Sequence, residues 1–133
     1  MEEIVNKISD LITWYGNNCH KAQPEELLIC KDRLVTFNYN LAQIVAESAK
    51  DYHLHYYIRK LTIARIKNAY IKKGEAVSKA ESLATEESAE EFQNELESEA
   101  LALKLELLLK QSNKIVDAIQ QRVSYLKIEM NRN

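Results

Sequence analysis

Turn-forming residues are nearly missing from this chain, which has two glycines and one proline in 133 residues. Glycine alone averages about 7% in ordinary proteins. Strands need turns and turns need those residues, so a strand-rich fold is excluded. What remains is an almost all-helical chain with very few connections.

Histidine and cysteine are scarce as well, with three and two copies, and that scarcity bears on chemistry. His53 and His55 stand two apart, which on a helix turns them about 200° from each other, so they do not share a ligand. Cys19 and His20 with Cys30 lack the spacing of a zinc site, and no Glu-x-x-His pair exists to build a di-metal centre. Two glycines make no phosphate loop, and no serine or cysteine sits in a nucleophile motif. The expectation is a non-enzyme with no catalytic residue, no metal and no cofactor. Two lone thiols suit a reducing compartment.

No apolar run approaches the roughly 20 residues that span a bilayer. The longest, at Leu107 to Leu109, is hemmed in by Lys104, Glu106 and Lys110. Glu2 and Glu3 give the N-terminus the wrong sign for a secretory signal. No membrane partner is expected, and the cytoplasm is the expected compartment.

Acid is missing from one stretch. Residues 52–74 hold no Asp or Glu and six bases, in a chain whose net charge is −2. Residues 75–99 then hold nine acids and one base. The charge runs −3, +6, −8, +3 from one end to the other, a pattern the overall balance hides.

The apolar residues recur at helical spacing. Ile4, Val5, Ile8, Leu11, Ile12 and Tyr15 predict a first helix over about 2–15, ended by the left-handed formers Gly16, Asn17 and Asn18. Pro24 followed by Glu25 and Glu26 predicts a second start. From there to Lys73 no breaker intervenes, so 24–73 is one long helix of about 70 Å, or a kinked pair bending near 48–52. Lys72, Lys73 and Gly74 make a helix end.

A third helix over about 78–131 is expected to start on the capping-box spacing Ser78 to Glu81, with Thr85 and Ser88 as alternative caps. Within it Leu101, Leu105, Leu108, Ile115, Ile119 and Leu126 step by threes and fours, close to a heptad seam. Leu96, Leu103, Leu107 and Val123 add a second stripe. A single domain over 1–133 follows: all-α, an elongated antiparallel hairpin of two long helices with a short N-terminal helix and coiled-coil-like packing. Long helices with two apolar stripes favour a homo-oligomer. The seam residues Leu101, Leu105, Leu108, Ile115, Ile119 and Leu126 are the expected oligomerisation surface.

Within the basic stretch, His53, Tyr56, Tyr57, Lys60 and Lys67 fall in one sector of the helix about 100° wide. Leu54, Ile58, Leu61 and Ala69 then read as its core side. Lysines neutralise phosphates and tyrosines stack on unpaired bases, which suits single strands. The candidate nucleic-acid-binding residues are His53, Tyr56, Tyr57, Arg59, Lys60, Arg65, Lys67, Lys72 and Lys73. The competing reading is that the basic stretch merely faces the acidic helix after it, in a structural or adaptor assembly protein.

Arg59-Lys60, Arg65, Lys67, Tyr70 and Gly74-Glu75 together resemble a stretch of the recombination mediator proteins of tailed phages, the UvsY type. The likeness covers about 20 residues plus size and helicity. The bases at Arg65 and Lys67 are shifted by one from the family's slots, where Ala64 and Ile66 stand. The resemblance implies a small oligomeric helical protein that binds single-stranded DNA (or RNA) and loads a recombinase onto it, in the cytoplasm of a phage's host.

Overall fold

The computed structural model of the chain describes residues 1–132. They form four helices and no strand: α1 (Glu2–Asn18), α2 (Pro24–Lys72), α3 (Val77–Glu87) and α4 (Ala89–Asn131). Among the described residues no helix is long and apolar enough to cross a membrane. The chain divides into two compact units. Unit 1 combines residues 1–45 with the part of α4 from Leu105 onward, and unit 2 is Ala46–Lys104.

α1 runs through the glycine expected to end it. Neither Gly16, Asn17 nor Asn18 adopts a left-handed conformation; among the described residues the one positive φ belongs to Gly74. The Asn18 side chain instead donates to the Trp14 carbonyl at 2.8 Å. Glycine inside a helix costs about 1 kcal/mol, and the packing of Trp14 and Tyr15 against the unit 1 core outweighs it. α2 starts with half of a capping box, the Gln23 N–H donating to the Glu26 carboxylate at 3.1 Å. It is helical throughout 48–52. At its end the N–H groups of Gly74 and Glu75 donate to the carbonyls of Ile71 and Tyr70, at 3.0 and 3.1 Å. With Gly74 at φ 95 this is a Schellman motif.

The third segment is two helices rather than one. α3 has Ala76 as its N-cap with no side-chain cap, so Ser78 lies inside the helix and the expected capping box is not made. The break falls at Ser88, whose backbone leaves helical geometry and whose buried hydroxyl donates to the Thr85 carbonyl.

Unit 1 is built on apolar heptads. Ile8 of α1, Leu27, Leu34 and Leu41 of α2, and Ile119 of α4 are fully buried, with Leu105 and Val123 nearly so. Each large apolar side chain removed from water contributes about 1.5–3 kcal/mol. One polar step interrupts this core. Ser112 Oγ donates to Asn38 Oδ1 at 2.6 Å and Asn38 Nδ2 donates to Asn113 Oδ1 at 3.0 Å. A satisfied polar layer of this kind fixes register, because a slipped helix would leave it unpaired.

Unit 2 has no comparable apolar centre. Its buried residues are Ala80, Ala84, Ser88, Glu95 and Ser98. Small side chains let helices approach closely, and the polar ones must be hydrogen-bonded; Ser98 donates to the Glu95 carbonyl at 2.9 Å.

Candidate nucleic-acid interface

Inward-facing positions of α2 in unit 2 are Tyr52, His55, Tyr56, Arg59, Ile63, Ile66 and Tyr70, all half-buried. Leu54, Ile58 and Leu61, expected as the core side of the basic stretch, are exposed, Leu54 and Leu61 by 55% and 56%. Ala69 is exposed as well. The expected core side is therefore exposed, while of the expected outer sector His53, Tyr57 and Lys60 stay exposed and Tyr56 and Lys67 turn partly inward. The sequence reading let the aliphatic residues choose the buried side, whereas the acids across the unit draw Arg59 and Lys67 inward.

Arg59 forks onto the buried carboxylate of Glu95 through Nε and Nη2. Its guanidinium also lies 5.6 Å from the ring centres of both Tyr56 and Phe92. Hydrogen bonding to Glu95 holds the Arg59 pKa above its ordinary value. Lys67 Nζ sits 2.8 Å from Glu81, and the Tyr70 hydroxyl donates to Glu87. Two of the six bases in 52–74 are thus matched by the unit's own glutamates.

The other four differ. Lys60, Arg65, Lys72 and Lys73 are exposed, and none forms an ion pair among the described residues. Lys60 Nζ rests 4.7 Å from the Tyr56 ring centre and Lys73 Nζ 5.6 Å from that of Tyr70. Tyr57 is 63% exposed and meets Tyr56 edge-on at 5.8 Å. His53 is exposed beside Tyr52.

The predicted binding set therefore splits by direction. His53, Tyr57 and Lys60 line one flank at helical spacing. Arg65 and Lys72 continue the outer side of α2, and Arg59 and Lys67 point inward. Tyr56 is half-buried between Arg59 and Lys60. Glu95 and Phe92 are the partners that sequence reasoning missed. The helical angle of each residue within the acidic segment was the available signal.

The expected oligomerisation seam is used inside unit 1. Leu105 and Ile119 belong to its core, and Leu108, Ile115 and Leu126 pack against it. Of the seam, Leu101 alone keeps substantial exposure. A seam already buried within the chain offers little to another copy, so any self-association must use another face. The second stripe supplies one, since Leu96, Leu103 and Leu107 are exposed while Val123 is buried.

A shallow groove of about 230 Å³ in unit 2 is lined by Asp51, His55, Asn94, Glu97, Ser98 and Leu101. His55 Nε2 stands 3.7 Å from Asp51, but the Ser98 hydroxyl is committed to a backbone carbonyl. A second groove, of about 320 Å³ in unit 1, is mostly apolar around Leu11, Trp14 and Cys30. Burial raises the Cys30 thiol above its ordinary pKa. Among the described residues no group of three or more His, Cys, Asp or Glu could hold a metal ion.

Compared with protein-family models, with curated proteins and with solved structures, the chain finds no match in any of the three.

Proposed function

We propose that the chain is a non-enzymatic, self-associating helical protein that binds single-stranded nucleic acid through the exposed side of residues 53–73. The supporting observation is the residue left over after internal pairing. Lys60 stands exposed beside the exposed Tyr57 and His53, Arg65, Lys72 and Lys73 stand exposed farther along the helix, and among the described residues none of the four forms an ion pair. No acid lies within 52–74 to compete with phosphate. Four cations spread along and around the helix bind weakly on one chain, and self-association repeats them so that avidity supplies the affinity. Lys60 and Arg65 lead the phosphate contacts and Tyr57 stacks on a base. Binding is sequence-tolerant.

The pairing inside each unit supports an antiparallel, coiled-coil-like packing. In unit 1 Lys31 meets Gln120 and Asn38 meets Asn113. In unit 2 Arg59 meets Glu95 and Lys67 meets Glu81. Partner numbers fall as α2 numbers rise. The class of partner beyond the strand is a recombinase or another strand-handling protein, in a cytoplasm that keeps Cys19 and Cys30 as the free thiols they are here.

Anisotropy of a labelled single strand of about 30 nucleotides tests this reading. Four phosphate contacts predict a log–log salt slope of about −3 per chain, from about 0.7 per neutralised phosphate on single strands. Lys60→Glu with Arg65→Glu should weaken binding at least tenfold, by about 1.4 kcal/mol or more, whereas Lys67→Glu should matter less. No binding at low salt, or equal binding of duplex, ends the proposal.

The second reading is an assembly or adaptor module whose basic stretch serves its own acidic helix. The Arg59–Glu95 fork and the Lys67–Glu81 pair favour it. On that reading the double charge reversal leaves assembly intact and there is no strand binding to lose.

A further inference from the structure

Three residues of α2 stand in one line at steps of seven, His53, Lys60 and Lys67, each turned only about 20° from the last. His53 and Lys60 are exposed. Lys67 is half-buried, and the carboxylate of Glu81 on α3 stands 2.8 Å from its Nζ. One turn further on, Tyr70 is half-buried too, its hydroxyl donating to Glu87 at the far end of α3. Lys60 with Tyr57 is open, and Lys67 with Tyr70 is covered.

The cover is held loosely. The fully buried side chains of α3 are Ala80 and Ala84, so the helix places little apolar surface inside unit 2. Its N-terminus has no side-chain cap. The backbone leaves helical geometry on both sides of it, at Gly74 with φ 95 and at Ser88 with φ −98. At 11 residues it is shorter than the roughly 12–15 that a helix needs to persist alone in water, so α3 is helical because it is docked. The side-chain bonds that dock it on α2 are those of Glu81 and Glu87. An exposed ion pair is weak and yields to a better placed competitor.

We propose that α3 covers a second half of the strand-binding face, with Glu81 standing where a phosphate stands on a bound strand and Glu87 holding the tyrosine that meets a base. A single strand held at Lys60 raises the local concentration of phosphate at Lys67, and that phosphate displaces the Glu81 carboxylate. α3 leaves its seat and Tyr70, released from Glu87, stacks on the next base. Opening draws on part of the binding energy, so the covered half joins only after the open half is engaged. Arg59 takes no part, because its fork onto Glu95 comes from α4.

This inference rests on the strand-binding reading and adds Lys67 and Tyr70 to it as a covered site. The test measures anisotropy of a labelled single strand of about 30 nucleotides with the full chain, with Glu81→Gln plus Glu87→Gln, and with Glu90→Gln plus Glu97→Gln. The last pair removes the same charge from exposed residues of α4 that no base holds among the described residues. Uncovering should tighten binding about fivefold, the share an exposed ion pair can withhold. It should also steepen the salt slope by about 0.7, one phosphate more. Lys67→Gln added to the uncovered variant should return both to the wild-type figures. The α4 variant should move binding by less than about twofold. In the wild type, hydrogen exchange across Val77–Glu87 should quicken when the strand is added.

Equal tightening by both pairs would assign the effect to bulk charge and end the inference, as would an uncovered variant that binds no tighter than the wild type. Exchange in α3 that is unchanged by the strand ends it as well. In each of these cases the strand-binding reading stands. Binding by neither the wild type nor the uncovered variant ends that reading, and this inference with it.

Discussion

Unit 1 and unit 2 draw on the same two long helices and hold together differently. Following α2 in steps of seven, Leu27, Leu34 and Leu41 of unit 1 are fully buried. The same line continues into unit 2 as Ser48, His55 and Thr62, each half-buried. Along α4 the corresponding line reads Ile119, Ser112 and Leu105 in unit 1, then Ser98 and Glu91 in unit 2. The heptad repeat persists while its chemistry changes from aliphatic to polar. In unit 1 water leaves an apolar core, and specificity comes from one polar step at Asn38. In unit 2 specificity comes from charge, through Arg59 with Glu95 and Lys67 with Glu81. The first kind of contact is indifferent to salt and the second is weakened by it.

The comparison breaks most visibly at a core leucine. Leu34→Ala removes a side chain with no exposed surface and should cost about 2–5 kcal/mol, the range for leucine truncation in a packed core. Urea denaturation measures it, and the loss should be the same at low and high salt. A loss below about 1 kcal/mol would mean that unit 1 collapses around the gap, and its heptads would not be the close-packed core described.

Glu95→Ala probes the other mechanism. It leaves the Arg59 guanidinium facing Phe92 and Tyr56 without its carboxylate. The expected loss is about 1–3 kcal/mol, between the ranges for exposed and fully buried pairs, since Arg59 keeps some contact with solvent. Unlike the leucine effect, it should shrink as salt rises. A double-mutant cycle with Arg59→Met isolates the coupling between the two side chains. A salt-independent loss would assign the role of Glu95 to packing.

These contrasts show which parts of the fold were legible beforehand. Pro24, Gly74 and the heptads of unit 1 carry strong local signals, because a proline at a helix start, a glycine with positive φ and a run of aliphatic residues each act through their immediate surroundings. Ser88 was one of two alternatives for a restart, and the backbone breaks there. Gly16 misled, since composition gave its tendency to end a helix but not the packing of Trp14 and Tyr15 that overrides it. The basic stretch was half legible. Its charge could be counted from the sequence, but which cations face outward depends on partners such as Glu95 and Glu81, which lie 36 and 14 residues away from Arg59 and Lys67. Aliphatic periodicity also gave the wrong inner face for Leu54 to Leu61, because in unit 2 ion pairs decide which side turns in.

The two glycines sharpen the contrast at a smaller scale. A Cβ at Gly16 would meet nothing within 4 Å, and its φ is ordinary for a helix. Gly16→Ala should therefore stabilise by about 0.5–1 kcal/mol. Gly74 has φ 95, a conformation side chains resist, so Gly74→Ala should destabilise by about 1–2 kcal/mol although there too the space is open. Thermal denaturation of both variants checks the opposite signs. Two destabilised variants would mean that α1 does not continue through Gly16.

Alkaline pH should produce the smallest effect. The Tyr70 hydroxyl donates to Glu87, which raises its pKa, with burial adding to the shift. In the unfolded chain that proton is held less tightly and leaves first. Stability from this contact is therefore complete below about pH 10, the ordinary tyrosine value, and is lost as pH climbs through the higher folded value. Tyr52 of unit 2 is raised as well, by burial first and then by Glu99 and Glu95. In unit 1 Tyr15 is raised chiefly by burial and Tyr125 by its bond to Glu129. All four tyrosines thus contribute in the same direction, and only a substitution separates them. Tyr70→Phe should lower stability slightly at neutral pH and flatten the decline above pH 10 by the share that Tyr70 carries. Hydrogen exchange, read for each unit, should place that change in unit 2 and leave unit 1 as it was. An unchanged alkaline decline in unit 2 would show that Glu87 and Tyr70 do not hold each other in solution, leaving Arg59–Glu95 and Lys67–Glu81 as the contacts that set its register.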